Sequence, residues 1–358
     1  MLGKSVYDID TPALVIDIDA MAGNIRRMAD FFRDRPAKLR PHAKTHKTPE
    51  LARMQLDAGA IGITCAKLGE AEVMADAGIR DLLLANEVIG AQKIARLVAV
   101  AKKSDIMIAV DTAENAREIS DAAVAAGVRV RVLVEVDIGQ GRCGVPPGAP
   151  AVRLAQEVLK CRGLAFKGIM GYEGHVVLNP DREARESACQ QAMTLLVGTK
   201  HDLEAAGIPV EIVSGGGTGT YAVTGTFPGV TEVQAGSYIT MDARYKGLDL
   251  GFACALTVLT TVVSRNGADV IVCDAGMKAV TREFGMPESK DARMEVAHLS
   301  EEHGKLIAKA PVPHRVGDKI ELIPSHGCTT INLHDTFYGV RNGRVEAVWD
   351  IAARGKVR

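Results

Sequence analysis

The sequence has no CxxC pair, and its seven cysteines stand at irregular spacing, so neither a zinc ribbon nor a thioredoxin-like dithiol is available. The odd count leaves at least one thiol unpaired in a single chain, which fits a reducing cytoplasm. No segment offers about 18 uninterrupted apolar residues, and the opening stretch Met1–Asp8 lacks an apolar signal-peptide core, so neither membrane insertion nor targeting is expected. Net charge is nearly absent at −1, and Lys and Arg are dispersed instead of gathered in a stripe; a nucleic-acid partner is therefore not expected. Internal repeats, Pro-rich linkers and low-complexity tracts are also missing.

What remains is an ordinary globular composition, 47% apolar and 24% charged, in a chain of 358 residues. That length suits a large α/β barrel alone or a barrel with a second domain. Short β-rich runs at 39–45, 62–67, 81–86, 105–111, 130–137, 166–173, 210–214 and 231–236 alternate with Ala-rich helical stretches such as 68–78, 113–126, 151–161 and 185–206. Eight strand–helix repeats are what a closed (β/α)8 barrel requires, with an open doubly wound sheet as the alternative. The apolar run 13–18 would be a ninth strand and is assigned outside the barrel. From about residue 246 the pattern changes to β-type runs at 255–264, 269–273, 318–323 and 344–351. The expected organisation is an α/β barrel over 20–245 and a β-rich domain over 246–358 together with 1–19.

Three segments could carry chemistry. Arg40-Pro41-His42-Ala43-Lys44-Thr45-His46-Lys47-Thr48 puts lysines and histidines where the first barrel strand ends, the end at which barrels keep their active sites. A partly desolvated lysine among other cations has a lowered pKa, and the neutral amine can condense with an aldehyde cofactor; a solvated basic loop reads equally well from spacing alone. Ser214-Gly215-Gly216-Gly217-Thr218-Gly219-Thr220 and Ala235-Gly236-Ser237 follow the last two strand candidates, where bare backbone N–H groups can cradle a monophosphate. The spacing is neither GxGxxG nor a Walker loop, and an isolated glycine cluster is more often a turn. His326-Gly327-Cys328 places an imidazole and a thiol two residues apart, which in an extended segment would point both to one face as ligands of one metal. Such a pair also arises easily by chance.

Taken in order, these motifs resemble the D-threonine aldolase and D-serine dehydratase group of fold-type III pyridoxal-phosphate enzymes. The likeness runs through Thr11-Pro12-Ala13-Leu14, the segment around Lys44, Val134-Glu135-Val136-Asp137 with Gly141-Arg142-Cys143-Gly144-Val145, Gly171-Tyr172-Glu173-Gly174-His175, the glycine run at 214–218 and H-x-C at 326–328. The resemblance implies an alanine racemase-like barrel with pyridoxal 5'-phosphate carried by Lys44. It further implies Arg142 and Tyr172 beside the cofactor ring, its phosphate on Gly216, Gly217, Gly236 and Ser237, and His175 as general base. His326 and Cys328 would hold one divalent ion (Zn, Mn or Mg), the substrate would be a D-3-hydroxy amino acid, and the chain would form a homodimer.

Retro-aldol cleavage to glycine and an aldehyde is the primary expectation, with dehydration to a 2-oxo acid and ammonia as the alternative and racemisation or cofactor carriage as further ones. In this group H-x-D is the aldolase pattern and H-x-C the dehydratase pattern, so Cys328 points to dehydration, whereas the continuation Thr330–Asp335 looks aldolase-like.

Overall fold

The computed structural model describes residues 1–358. After β1 (Ala13–Asp17) come eight short strands separated by helices: β2 (Lys38–Leu39), β3 (Ile63–Cys65), β4 (Asp81–Leu84), β5 (Asp105–Val110), β6 (Val130–Glu135), β7 (Leu164–Met170), β8 (Ile212–Gly215) and β9 (Glu232–Val233). All eight are parallel, in the order β2-β9-β8-β7-β6-β5-β4-β3. Their runs are almost wholly apolar because both faces are covered: Ile106–Val110 and Val132–Glu135 are buried residue after residue. Leu83, Met107, Ala109, Leu133 and Met170 form one cluster of the interior.

The strand expected at 39–45 is regular only to Leu39: the Arg40 and His42 N–H groups still reach the Val233 and Ala235 carbonyls (2.9 and 3.1 Å), but on the other side Pro41 has no N–H to offer. An isolated parallel bridge between His42 and Thr64 takes over, with the Ala43 N–H on the Thr64 carbonyl (2.8 Å) and the Thr64 N–H on the Pro41 carbonyl (2.9 Å). That bridge joins the first strand to the second and closes the barrel, so the open-sheet alternative does not apply. Below it, the buried Arg40 guanidinium is held by Glu232 (2.7 Å) and Asp81 (2.9 Å), tying three strands together.

The remaining strands are β10 (Leu256–Asn266), β11 (Val270–Cys273), β12 (Glu288–Ser289), β13 (Met294–Leu299), β14 (Gly304–Ala308), β15 (Lys319–Ile323), β16 (Thr336–Arg341) and β17 (Arg344–Asp350). They form a second sheet, ordered β13-β14-β11-β10-β1-β16-β17, with β15 paired to β10 and to β12. The early run 13–18 does lie here: β1 is antiparallel to β10 and parallel to β16.

Two units result, with boundaries that differ from those expected. The barrel unit is Met28–Lys44, Pro49–Gly236 and Lys356–Arg358; the β unit is Met1–Arg27, Thr45–Thr48 and Ser237–Gly355. Residues 237–245 join the β unit because Thr240 O accepts from the Ala255 N–H and Ile239 O from the Asn24 amide. Thr45–Thr48 joins it through the Ala353 N–H on Lys47 O. No helix is long and apolar enough to cross a membrane.

Candidate active site

In the barrel unit the strand ends bring three sequence-predicted residues to one aromatic ring. Lys44, half-buried past the end of β2, holds its Nζ 5.6 Å from the centroid of the Tyr172 ring. Arg142, on the loop after β6, holds its guanidinium carbon 5.8 Å from the same centroid. The glycine loop after β8 reaches that ring too: a Cβ on Gly217 would stand 3.3 Å from a ring carbon and from the hydroxyl of Tyr172. Gly216 has φ +82°, and a Cβ there would come within 2.9 Å of Val233, so both position and conformation require glycine. The N–H groups of Gly216 and Gly217 already have partners, Glu173 Oε2 from beyond β7 at 3.1 Å and Thr220 Oγ1 within the loop at 3.1 Å. Gly236 is buried at the end of the barrel segment.

His175 is exposed and packs against the Gly139 backbone. Its neighbour Asp137 accepts from the N–H groups of Gly141 and Gly139, both at 3.0 Å. These hydrogen bonds, Gly141 foremost, with the charge of His175 added, hold the Asp137 carboxyl below its ordinary range.

Two buried carboxylates here were not singled out from the sequence. Glu173 is fully buried and faces only neutral donors. Glu135, 4% exposed at the end of β6, lies 3.9 Å from Arg142. Burial first, and then the charge and hydrogen bonding of Glu87, push its carboxyl up to about 8 from an ordinary 4.5. The available signal was a Glu closing an otherwise apolar run, as in Val132–Glu135.

Because the folded protein holds the Glu135 proton more tightly than the unfolded chain does, stability falls as pH rises through the window from about 4.5 to about 8 and levels off above it. Glu135→Gln removes that loss. The variant is expected to gain on the order of 2–4 kcal/mol at pH 8 and almost nothing near pH 4.5; thermal melts of the apoprotein across this range check it, and a gain independent of pH would assign the effect to packing.

In the β unit the H-x-C segment is not extended, correcting the expectation from spacing. His326 has φ −137°, but Gly327–Ile331 turns into a short helix, because Asp242 Oδ2 accepts the Gly327 N–H (2.9 Å) and His326 O accepts from Thr330. His326 Nδ1 meets Glu283 Oε1 at 2.7 Å, and the imidazole stacks on Phe284 with centroids 4.4 Å apart, which orients Nε2 away from the carboxylate. Burial works against protonation of His326, but the hydrogen bond and charge of Cys328, with Asp242 and Glu283, outweigh it and push the imidazole up to about 9. The Cys328 sulfur lies within hydrogen-bond reach of Thr45 Oγ1 (3.3 Å) and 4.0 Å from Ser237 Oγ, itself buried. No group of three or more His, Cys, Asp or Glu side chains is arranged to hold a metal ion.

Residues 16–244 match the family described as the alanine racemase N-terminal domain, and residues 255–340 that described as a putative serine dehydratase domain. The chain is 39% identical to a D-threonine aldolase of Arthrobacter sp, covering 99% of this chain and 95% of that one. It is 37% identical to a 3-hydroxy-D-aspartate aldolase of Paracoccus denitrificans, over 99% and 94% respectively. The solved structure of a D-threonine aldolase from Filomicrobium marinum superposes with a TM-score of 0.97 at 40% identity, over 100% of this chain and 99% of the other.

Proposed function

Since the chain belongs to the D-threonine aldolase family built on an alanine racemase N-terminal domain, we propose that it is a pyridoxal-phosphate-dependent lyase that cleaves D-3-hydroxy amino acids to glycine and an aldehyde. The observation that carries the reading is the convergence of Lys44, Arg142 and the Gly217 backbone on the Tyr172 ring. An amine, a guanidinium, an aromatic face and a glycine loop are the groups a planar phosphorylated aldehyde needs, and the loop packs so closely on Tyr172 that a Cβ on Gly217 would stand 3.3 Å from its ring and hydroxyl. When bound, this cofactor supplies an electron sink for the pair released as a bond at the substrate Cα breaks.

The protein's own residues do the rest. Lys44 Nζ would hold the cofactor covalently, Arg142 and Tyr172 would fix its ring, and the loop of Gly216 and Gly217 with Gly236 and Ser237 would receive its phosphate. With its own N–H turned to Glu173, Gly216 serves by its left-handed turn. His175, exposed beside Asp137, takes the proton from the substrate's β-hydroxyl oxygen, and the Cα–Cβ bond then opens.

His326 and Cys328 would hold a divalent ion. The donor set supports this: Glu283 on Nδ1 is the carboxylate–imidazole arrangement that presents Nε2 to a metal, and a thiolate–imidazole pair favours zinc over manganese or magnesium. Such an ion would polarise the β-hydroxyl as a Lewis acid. A homodimer working in the cytoplasm completes the reading, the first from the family and the second from the unpaired cysteines.

A second reading, dehydration, is favoured by Cys328 itself and by the match of residues 255–340. Purified protein incubated with D-threonine and D-serine separates the two. Acetaldehyde with glycine in equal amounts is expected, whereas 2-oxo acid with ammonia would make the chain a dehydratase.

A further inference from the structure

We propose that Glu173 is a positioning residue that preorders the glycine loop for the phosphate of the cofactor; the inference rests on the pyridoxal-phosphate reading above. Glu173 follows Tyr172 beyond the end of β7 and is wholly buried, yet it forms no ion pair. A carboxylate buried without a counter-ion is costly unless hydrogen bonds replace its water. Here all the replacements but one, the Cys189 thiol from the helix Arg182–Ala205, come from the loop or its footing. Oε1 accepts the hydroxyls of Thr220 and Thr224, both at 2.7 Å, with the Cys189 thiol at 3.8 Å, and Oε2 accepts the Gly216 N–H at 3.1 Å. Burial, followed by the charge of Glu173, pushes the Cys189 thiol up to about 12, so it stays a neutral donor.

The bonds also have a direction. Thr220 Oγ1 has one proton, which lies on Glu173 at 2.7 Å in preference to the Gly217 carbonyl at 3.4 Å, and this turns a lone pair to the Gly217 N–H at 3.1 Å. One carboxylate thereby fixes two consecutive glycine N–H groups, Gly216 directly and Gly217 through Thr220, and holds Gly216 at φ +82°. A loop so fixed does not lose conformational freedom when an anion arrives. The like charge of Glu173 opposes a phosphate, but its four neutral donors act at contact distance and offset its field. Glutamine cannot reproduce the set. With its oxygen toward the threonines, its amide NH2 faces the Gly216 N–H, donor against donor; flipped, it forces both hydroxyls to turn and releases Gly217.

The test is equilibrium titration of the apoprotein with pyridoxal 5'-phosphate and with pyridoxal, which has the same ring and aldehyde but no phosphate. Glu173→Gln is expected to weaken the phosphorylated aldehyde by about tenfold or more and pyridoxal by less than about twofold. Equal losses for both aldehydes, or unchanged affinity for the phosphorylated one, would overturn the proposal. If Glu173→Gln does not fold, Thr220→Val, which removes the relay to Gly217 at nearly constant volume, is read against the same two outcomes. A wild-type chain that binds neither aldehyde overturns the cofactor reading and this proposal with it, whereas one that binds both beside an indifferent variant overturns this proposal alone.

Discussion

Lys44→Ala is expected to lose the absorption band of the protein-bound cofactor and to cut aldol cleavage at least about a thousandfold. Alanine has no amine to condense with the aldehyde, while the Tyr172 ring, Arg142 and the glycine loop stay as they are, so the cofactor is held only by non-covalent contacts and leaves on gel filtration. Lys44→Arg is the control for charge. Its guanidinium restores the cation near Tyr172 but stays protonated and cannot act as a nucleophile, so it is expected to fail equally. Absorbance spectra of both variants after gel filtration check the attachment separately from turnover. A Lys44→Ala protein that keeps the band would move the attachment to another lysine and remove the observation on which the proposed function stands.

Removal of the proposed divalent ion is expected to have the second large effect. Lewis acidity at an oxygen contributes several kcal/mol of transition-state stabilisation, so exhaustive chelation is expected to lower the rate on D-threonine by on the order of 10²–10³. His326→Ala and Cys328→Ala should do the same and should not recover when zinc, manganese or magnesium is added back, whereas the chelated wild-type chain should recover, zinc being the ion its donor pair favours. Glu283→Gln, which leaves both ligands but loosens the grip on His326 Nδ1, is expected to need about 10–100 times more metal for half-activation. Neither aldehyde nor oxo acid from D-threonine, with epimerisation at Cα that persists in full after chelation, would shift the reading to a racemase, which has no need of the ion.

How far the sequence reaches depends on which physical signal each element leaves in it. The barrel was readable because strands buried on both faces must be apolar throughout, and runs such as Leu82–Leu84 and Ile106–Val110 stand out between Ala-rich helices. In the β unit the runs of β10, β11, β15 and β17 were readable, β10 because its first half is largely apolar and buried throughout, but β13, β14 and β16 were not. Half-exposed strands show only alternation, and in β13 a bulge between Val296 and His298 breaks even that. The H-x-C spacing was taken for extended chain because nothing near it in sequence reveals Asp242, 85 residues away, whose carboxylate caps the Gly327 N–H and starts a helical turn.

The sequence alone determined the class of the protein: eight parallel strands, a β-rich second domain, and motifs in the order that identifies the family. Hydrophobic period and local residue choice are written along the chain and need no partner to be read. Only the tertiary structure decided that Lys44, Arg142 and Gly217, from three different strand ends, meet at one tyrosine ring, that a buried glutamate organises the glycine loop, and that residues 45–48 belong to the β unit. Each of these depends on groups brought into contact by chain closure across tens to hundreds of residues, and contact, burial and the pKa changes they cause are properties of the packed chain that no local pattern encodes.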